Sequence, residues 1–544
     1  MKLSMYFKRM FMLLTTKLSL FCFVFVGMML FSCGPGGNGY DEIPAPVAFS
    51  PNIPVDVDPA LQNKLKEEQD IYQLNEVFNK YSWQAFVAIH WPLDTAGNPM
   101  PAFTDPGTPT WLGWKEAFQV YRADGQKPAP WGAPRTASGL GLPTHLISDS
   151  ESRVVLSTKT PTHAGNFNIA DEIDQAFAGE LFDQNGNLVV YEVLMNKEEF
   201  DYVMHNSLYN INGQINFSEK NDSIANFPKG DYENNELGAI EIKFAWKILE
   251  PTDLKERYYS EEGYVIGPDS VLVKKDLGMI GMHISQKTPT GKQWVWSTFE
   301  HIDNLRQNVI EKDGKKVVIH PTLRDPNCEI CPANLDLTNS LSHEFIDDED
   351  RPYWLVRTLN PSNDADTIST KYFAPTNVKK TQAKRMVDIP IRVQNINKMM
   401  QEYFRQENSV WQYYELVDTQ YPLDQNIPPA PNLASNYVLP ESVTNKPGGD
   451  PNIALLTNMT METFFQKGGQ GAGGLIENGN PAVENIQIFG TESCMGCHSS
   501  AAIYDGYYFQ NDTLKTRSAG QTSGDFSWLL GKAQWNKDSI PAHN

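Results

Sequence analysis

The chain has 544 residues, a formal net charge of −21, 40% hydrophobic residues and an aromatic content of 11%. This length exceeds one ordinary domain and allows a large core. The composition excludes an intrinsically disordered chain and a protein made of many membrane spans. So acidic a surface repels nucleic acid, and no nucleic-acid partner is expected.

Residues 1–32 have the pattern of a signal peptide. A basic start precedes an apolar run over residues 18–31, which is too short to span a bilayer comfortably. The following Leu-Phe-Ser-Cys33 resembles the bacterial lipoprotein cleavage box, and this resemblance implies that Cys33 receives a lipid. An uncleaved anchor and ordinary secretion are the alternatives. All three export the chain, and we expect a periplasmic or outer-membrane-anchored lipoprotein whose lipid sits in the membrane.

Residues 33–58 are rich in Gly and Pro without periodicity, which is typical of a flexible tether. Asp58 followed by Pro59 then predicts the N-cap and first position of a helix. From there, residues 59–450 are predicted to form a large α+β domain. Residues 451–544 are predicted to form a separate C-terminal segment.

The centre of the chain carries the strongest strand and helix signals. Residues 188–195 favour a strand. Asn196, with Glu199 three residues later, predicts the start of a helix over 197–208. Residues 240–248 then alternate between apolar and polar side chains, which predicts a half-buried strand with its polar face in water. The polar members are Glu241, Lys243 and Lys247.

Two apolar runs, 277–286 and 293–299, flank a Thr-Pro-Thr-Gly turn and predict a β-hairpin. The simplest register places His283 opposite Trp296, and Glu300 on the same face. Both faces of the hairpin are apolar enough to be covered, and a pocket can form on such a sheet.

These elements define the predicted fold class. Helical spacing continues over residues 393–404, an aromatic strand is predicted over 409–417, and no internal repeat is evident. The sequence therefore predicts an α+β protein. Its core is a mostly antiparallel β-sheet with flanking helices, joined to a small helical C-terminal segment.

That segment carries Cys494-Met-Gly-Cys497-His498, the pattern that attaches a c-type haem. The two thiols are spaced to reach the two vinyl groups of one porphyrin, and the adjacent His498 is then the proximal iron ligand. The sequence predicts one covalent haem c, and residues 451–544 are therefore predicted to be a small helical, C-terminal haem-binding segment. A periplasmic disulfide and a redox-active Cys-x-x-Cys are the alternatives.

The sixth iron ligand is less evident from the sequence. Only 46 residues follow His498, and none of them is Met. The nearest upstream candidate is Met461, with Met459 beside it, in a predicted helical stretch that ends at Gly468. A Met in a helix commonly fills a core, which is the alternative. His283 and His301 are more distant candidates.

Cys328 and Cys331 form a second Cys-x-x-Cys, but Pro332 follows it instead of His. We expect a local disulfide because the compartment is oxidising. A zinc site completed by His320 and His343 is the alternative.

Glu300 and His301 belong to the densest polar cluster outside the haem motif. Together with the C-terminal motif, this cluster resembles a group of large exported bacterial proteins with one c-type haem. The two side chains, with His283, are weak candidates for acid–base catalysis beside an open iron site. Bracing of the hairpin is the alternative.

Three functions follow from these expectations. The first is electron transfer in the cell envelope to or from a redox partner protein. The second is a haem-dependent peroxidase or oxygenase that leaves the sixth iron position open for a small-molecule substrate. The third is a binding protein whose haem is structural or sensory. Whether the chain is an enzyme stays open at this point.

Overall fold

The structure is a computed structural model. It describes residues 49–133, 154–155, 180–220, 224–266, 272–328, 333–334, 342–360, 363–373, 379–385, 387–423, 451–453, 455–465, 476–477, 480–481, 493–520 and 522–542. Pro46–Asn544 form one compact unit. No described helix is both long enough and apolar enough to cross a membrane. The predicted signal peptide, lipidated Cys33 and most of the tether lie outside the described residues.

The α-helices of the described residues are α1 (Pro59–Glu67), α2 (Ile71–Ile89), α3 (Ala117–Val120), α4 (Lys197–His205), α5 (Ile211–Ser218), α6 (Ile391–Gln406) and α7 (Cys494–His498). Their starts follow the capping rules. The Asp58 side chain accepts a hydrogen bond from Ala60 N at 2.8 Å, and Asn196 accepts one from Glu199 N at 3.1 Å. Both predicted helix starts are confirmed.

The strands before the hairpin are β1 (Pro92–Leu93), β2 (Thr108–Pro109), β3 (Lys115–Glu116), β4 (Val154–Val155), β5 (Val190–Met195), β6 (Ile240–Ile248) and β7 (Ser260–Ile266). The hairpin strands and those that follow are β8 (Leu272–Gln286), β9 (Val295–His301), β10 (Asn308–Lys312), β11 (Lys315–Ile319), β12 (Ser342–Ile346), β13 (Tyr353–Asn360), β14 (Asn363–Phe373), β15 (Tyr414–Gln420), β16 (Ile476–Glu477), β17 (Asn480–Pro481), β18 (Tyr504–Gln510) and β19 (Thr513–Ser518).

The main sheet has eight strands, in the order β15-β9-β8-β6-β5-β3, with β7 also paired to β8 and β4 paired to β7. Only the short β4–β7 pairing is parallel among the described pairs. The predicted class, α+β with a mostly antiparallel sheet, is confirmed.

Apolar layers cover both faces of this sheet, as predicted. On one face, Trp83 and Phe86 of α2 pack with Phe244 of β6 and Phe404 of α6. On the other face, Met195 and Trp296 pack with Met495 of α7, Phe526 and Leu529. Since successive residues of a strand point to opposite faces, β5 serves both layers, with Leu194 in the first and Val193 in the second.

The structure corrects the description of β6. The strand has the predicted bounds, but its polar face is not in water, because Glu241 is 7% exposed and Lys247 is 3% exposed. Ser527 of the C-terminal segment lies against Glu241, and Asp253 and the Tyr258 ring lie against Lys247. The alternation of apolar and polar residues along β6 showed which side chains share a face of the strand. It did not show whether water or protein covers that face.

The hairpin is confirmed, and its register is not. His283 lies opposite Thr298, and Trp296 lies opposite Ser285. The connection is longer than predicted because Trp294 has a φ of +64° and β9 begins only at Val295. A shift of two residues preserves the faces, so His283 and Trp296 still point to the same side of the sheet. The aromatic strand is also shorter than predicted, because a 3-10 turn occupies Val410–Tyr413 before β15.

Candidate functional site

The short helix α7 presents the three residues of the haem-attachment motif. It begins at Cys494 because the Ser493 side chain accepts a hydrogen bond from Gly496 N at 3.1 Å. One turn of helix brings Cys494, Cys497 and His498 to neighbouring positions. Neither Cys494 nor Cys497 forms a disulfide bond, and Cys497 is buried. Burial raises the pKa of Cys494 well above its usual value, and the nearby Glu462 charge raises it further.

The His498 ring is held by the backbone. Its Nδ1 lies 2.7 Å from the carbonyl oxygen of Phe526. A carbonyl can only accept, so Nδ1 carries the hydrogen and Nε2 carries the lone pair. Burial lowers the pKa of His498 to about 4, against the effect of this hydrogen bond, and the ring is neutral at pH 7. This tautomer leaves Nε2 as the nitrogen able to bind a metal.

An unusual loop supplies that carbonyl. Asp525 and Phe526 have backbone φ values of +51° and +68°, which residues other than Gly rarely adopt. The buried Asp525 carboxylate secures the loop by accepting hydrogen bonds from Phe227 N at 2.6 Å and from the Lys287 ammonium group. Strained backbone of this kind persists only where its surroundings over-determine it, and it clusters at functional sites.

Both thiols and His498 line one cavity of about 450 Å³, which is a usual size for a small-molecule or cofactor site. Hereafter it is called the motif cavity. The Trp296 ring lies 4.3 Å from the His498 ring, measured between centroids. The other apolar walls are Val193, Ile242, Leu456, Trp528 and Leu529.

The motif cavity also has charged walls, two of which come from the polar face of β6. Lys243 and Lys532 both line it, as does Glu241. Two cations beside apolar walls suit a haem, whose propionates are anionic and whose ring is apolar. The residues present therefore fit the group that the motif predicts.

Glu241 is a buried acid beside Glu199, which is fully buried. Burial raises the pKa of Glu241 to about 7, although a hydrogen bond with Ser527 opposes the shift. Burial, together with the charge of Glu241, raises the pKa of Glu199 well above its usual value. The motif cavity is therefore bordered by a carboxyl, that of Glu241, whose pKa is about 7.

His283 and Glu462 face the same cavity. His283 Nε2 lies 3.0 Å from Glu462 Oε1, and the two side chains are 14% and 16% exposed. Burial by itself would raise the pKa of Glu462, but His283 and Lys243 hold it below its usual value. Of the weaker candidates predicted from the sequence, His283 is the one that the fold brings to the motif.

Glu300 and His301 do not line the motif cavity but lie in a buried, hydrogen-bonded polar cluster. The Glu300 carboxylate accepts hydrogen bonds from Arg385 at 2.6 Å and from Met459 N at 2.8 Å. His301 Nε2 donates to Arg257 O at 2.9 Å, and its Nδ1 accepts from Asp303 N at 3.1 Å. Since both ring nitrogens already have partners, His301 is not poised to bind iron or to transfer protons.

Met461 is also placed away from the motif cavity. Its side chain is fully buried in a cluster with Met459, Tyr191 and Ile280, and it is not among the residues that line the cavity. The predicted helical stretch around it is a single 3-10 turn, Thr463–Phe465, within the described residues.

The second cysteine pair is described only at its first member. Cys328 is disulfide-bonded, so its sulfur is not available as a zinc ligand. Cys331 and the side chain of His343 lie outside the described residues, and the Cys328–Cys331 pairing stays a prediction. Across the described ranges, no group of three or more His, Cys, Asp and Glu is placed to hold a metal ion.

Sequence reasoning missed most of the walls of the site. Glu462 follows the candidate Met461 directly, and it was not singled out. Glu241 and Lys243 carried a signal, because they alternate with apolar residues, but that signal was interpreted as a solvated face. The Phe526 carbonyl left no signal, since any residue has one.

Comparisons with protein-family models, with curated proteins and with solved structures give no match to this chain.

Proposed function

We propose that the chain carries one covalent haem c in the motif cavity and transfers single electrons in the cell envelope. Cys494 and Cys497 would form the thioethers, and His498 would be the proximal ligand through Nε2. The observation that carries this proposal is the shared cavity, because two cysteines outside any disulfide and a neutral imidazole of defined tautomer line one space of about 450 Å³. When bound, the haem supplies the one-electron couple.

The other residues around the motif cavity would orient the ligand and stabilise the bound haem. The Phe526 carbonyl orients His498, while Trp296 and the aliphatic walls exclude water. Lys243 and Lys532 offset the charge of the propionates. As predicted from the leader, we place the protein in the periplasm or on the outer membrane, anchored through Cys33. Its partner would be a redox protein.

The test is an intact mass and an optical spectrum of protein made in a host that attaches c-type haem. We expect the mass of one added haem, together with a c-type spectrum that changes on reduction. A Cys494→Ala, Cys497→Ala double variant should lose the covalent haem, and His498→Ala should change the iron coordination. His205→Ala, at an exposed helix end, is the matched control. Colourless wild-type protein of unmodified mass refutes the proposal.

A second candidate is a haem-dependent oxidoreductase, and the His283–Glu462 pair favours it. Glu462 already occupies His283 Nε2, and no Met lines the cavity among the described residues. An imidazole next to a carboxylate can hold a proton and pass it between Nε2 and Oε1. A low-spin protein that does not bind carbon monoxide supports electron transfer. A high-spin ferric protein that binds small ligands supports the enzyme.

A further inference from the structure

The carbonyl group that orients His498 belongs to a strained β-turn. Ser527 N donates a hydrogen bond to Gly524 O at 3.0 Å, which closes the turn around Asp525 and Phe526. Both central residues have positive φ, as in a type I′ turn, where Gly, Asn or Asp is usual and Phe is costly. Contacts with other parts of the chain must therefore hold the Phe526 carbonyl in its direction toward His498.

The buried Asp525 carboxylate makes such contacts. Its Oδ2 accepts hydrogen bonds from Phe227 N at 2.6 Å and from Lys287 Nζ. The Lys287 and Asp525 side chains are only 4% and 2% exposed. Lys287 Nζ also donates to Asn226 Oδ1 at 2.8 Å. Because Lys287 directly follows β8, this ion pair joins the turn to the end of a strand of the main sheet.

Lys287 favours the charged form of the Asp525 carboxyl. Burial raises the pKa of Asp525, and the charge of Lys287 and its hydrogen bond oppose that shift. A hydrogen bond to an ionised carboxylate is about twice as strong as one between neutral groups. Without Lys287, the buried carboxyl would be unpaired or protonated, and the turn would lose support that offsets its positive φ values.

We propose that the Lys287–Asp525 ion pair positions the proximal ligand, because it holds the Phe526 carbonyl against the Nδ1–H of His498. This inference rests on the proposed function, since it concerns a haem bound through His498 Nε2. Neither Lys287 nor Asp525 lines the motif cavity, so their effect passes through the Phe526 carbonyl and the imidazole ring. A hydrogen bond at Nδ1 raises the basicity of a ligating imidazole, and such bonds help to set the reduction potential of a haem.

The test uses the holoprotein, with the haem verified by intact mass, and follows the exchange of the His498 Nδ1–H in D₂O by proton NMR. We expect exchange at least about tenfold faster in Lys287→Met and in Asp525→Asn than in wild type, because both substitutions weaken the hydrogen bond to Phe526 O. Asp525→Asn conserves the size of the side chain and gives a second measurement if Lys287→Met does not fold.

Lys247→Met is the matched control. It breaks another buried ion pair, with Asp253, and its lysine side chain is also 4% exposed. The His498 ring proton should exchange at the wild-type rate in this variant. In each sample the backbone amides of β6 report opening of the whole fold, so a local effect is one that accelerates the ring proton more than these amides.

The reduction potential distinguishes positioning from charge. Removal of a cation by itself lowers the potential, whereas a weaker hydrogen bond at Nδ1 makes the imidazole less basic and raises it. We therefore expect both Lys287→Met and Asp525→Asn to raise the potential, and Lys247→Met to leave it unchanged.

Two results would overturn this inference alone. The first is a haem-carrying wild type whose ring proton exchanges equally fast in Lys287→Met, Asp525→Asn and the Lys247→Met control. The second is a pair of opposite potential shifts in Lys287→Met and Asp525→Asn, which indicates an effect of charge only. Wild-type protein without haem refutes the proposed function and this inference together.

Discussion

The two ends of the β8–β9 hairpin contain similar side chains and differ in what surrounds them. Near the turn, His283 and Trp296 face the motif cavity. At the far end, His301 is closed in by Arg257, Asp303 and the Tyr258 ring, which stacks on it at 4.3 Å. One histidine has a cavity beside it, and the other has a hydrogen-bond partner on each nitrogen. Both ends of the hairpin contain a histidine, so the residue type does not distinguish them. The cavity beside His283 makes it a candidate site residue, whereas the packed surroundings of His301 indicate a role in stability.

The Asp303→Ala substitution should have the largest effect, and it tests whether the cluster around His301 stabilises the fold. Asp303 is fully buried and accepts hydrogen bonds from Arg257 Nε at 2.7 Å and Nη2 at 2.8 Å. Its removal leaves a buried guanidinium unpaired, which we expect to cost about 3–5 kcal/mol of unfolding free energy. Urea unfolding measures this loss, with Asp276→Ala, from an exposed ion pair, as the control. A variant as stable as wild type would show that the far cluster is not a brace.

His301→Ala should cost about 3 kcal/mol, since it removes a stacked, fully buried ring with two hydrogen bonds. The spectrum of the proposed haem should nevertheless match that of wild type, because the His301 ring lies outside the motif cavity. Unfolding and absorption are measured on the same sample. A changed spin state in this variant would mean that the far cluster belongs to the site after all.

Glu241→Gln tests the polar face of β6 through pH. The carboxyl has a pKa of about 7 in the folded chain and about 4.5 when unfolded. Because the folded state binds the proton more tightly, stability falls as pH rises from 4.5 to 7 and then levels off. Glutamine mimics the neutral acid, so between pH 5 and 8 the variant should gain on the order of 2 kcal/mol relative to wild type. Thermal unfolding across that range measures the gain.

Glu236→Gln, on an exposed residue, is the control for that comparison. A difference between Glu241→Gln and wild type that does not vary with pH would show that Glu241 ionises normally and that the face is effectively solvated.

His283→Ala should have the smallest effect on stability, a loss of about 1 kcal/mol, because it removes one hydrogen bond, to Glu462, at the wall of a cavity. The larger effect should be on the spectrum of the proposed haem, whose spin state or carbon monoxide binding should change. Unchanged spectra together with a large loss of stability would reverse the assignments of the two hairpin ends.

Local patterns were sufficient for the elements that local chemistry specifies. The caps at Asp58 and Asn196, the alternation of β6 and the hairpin itself could all be predicted, because each depends on neighbours in sequence. The register could not be predicted, since it depends on Trp294 adopting a positive φ within the turn. The place of Met461 could not be predicted either. A Met in a predicted helical stretch can be an iron ligand or a core residue, and the sequence does not distinguish the two.

The sequence by itself determined the class of the fold and the motif residues Cys494, Cys497 and His498, because spacing within one helical turn is written in the chain. Only the tertiary structure decided which distant groups meet them. It placed His283 and Glu462 at the cavity, left His301 and Met461 in packed interiors, and turned the polar face of β6 inward. The burial and the hydrogen-bond partners of a polar side chain depend on the folded chain. They decide whether that side chain lines a candidate site or only stabilises the fold.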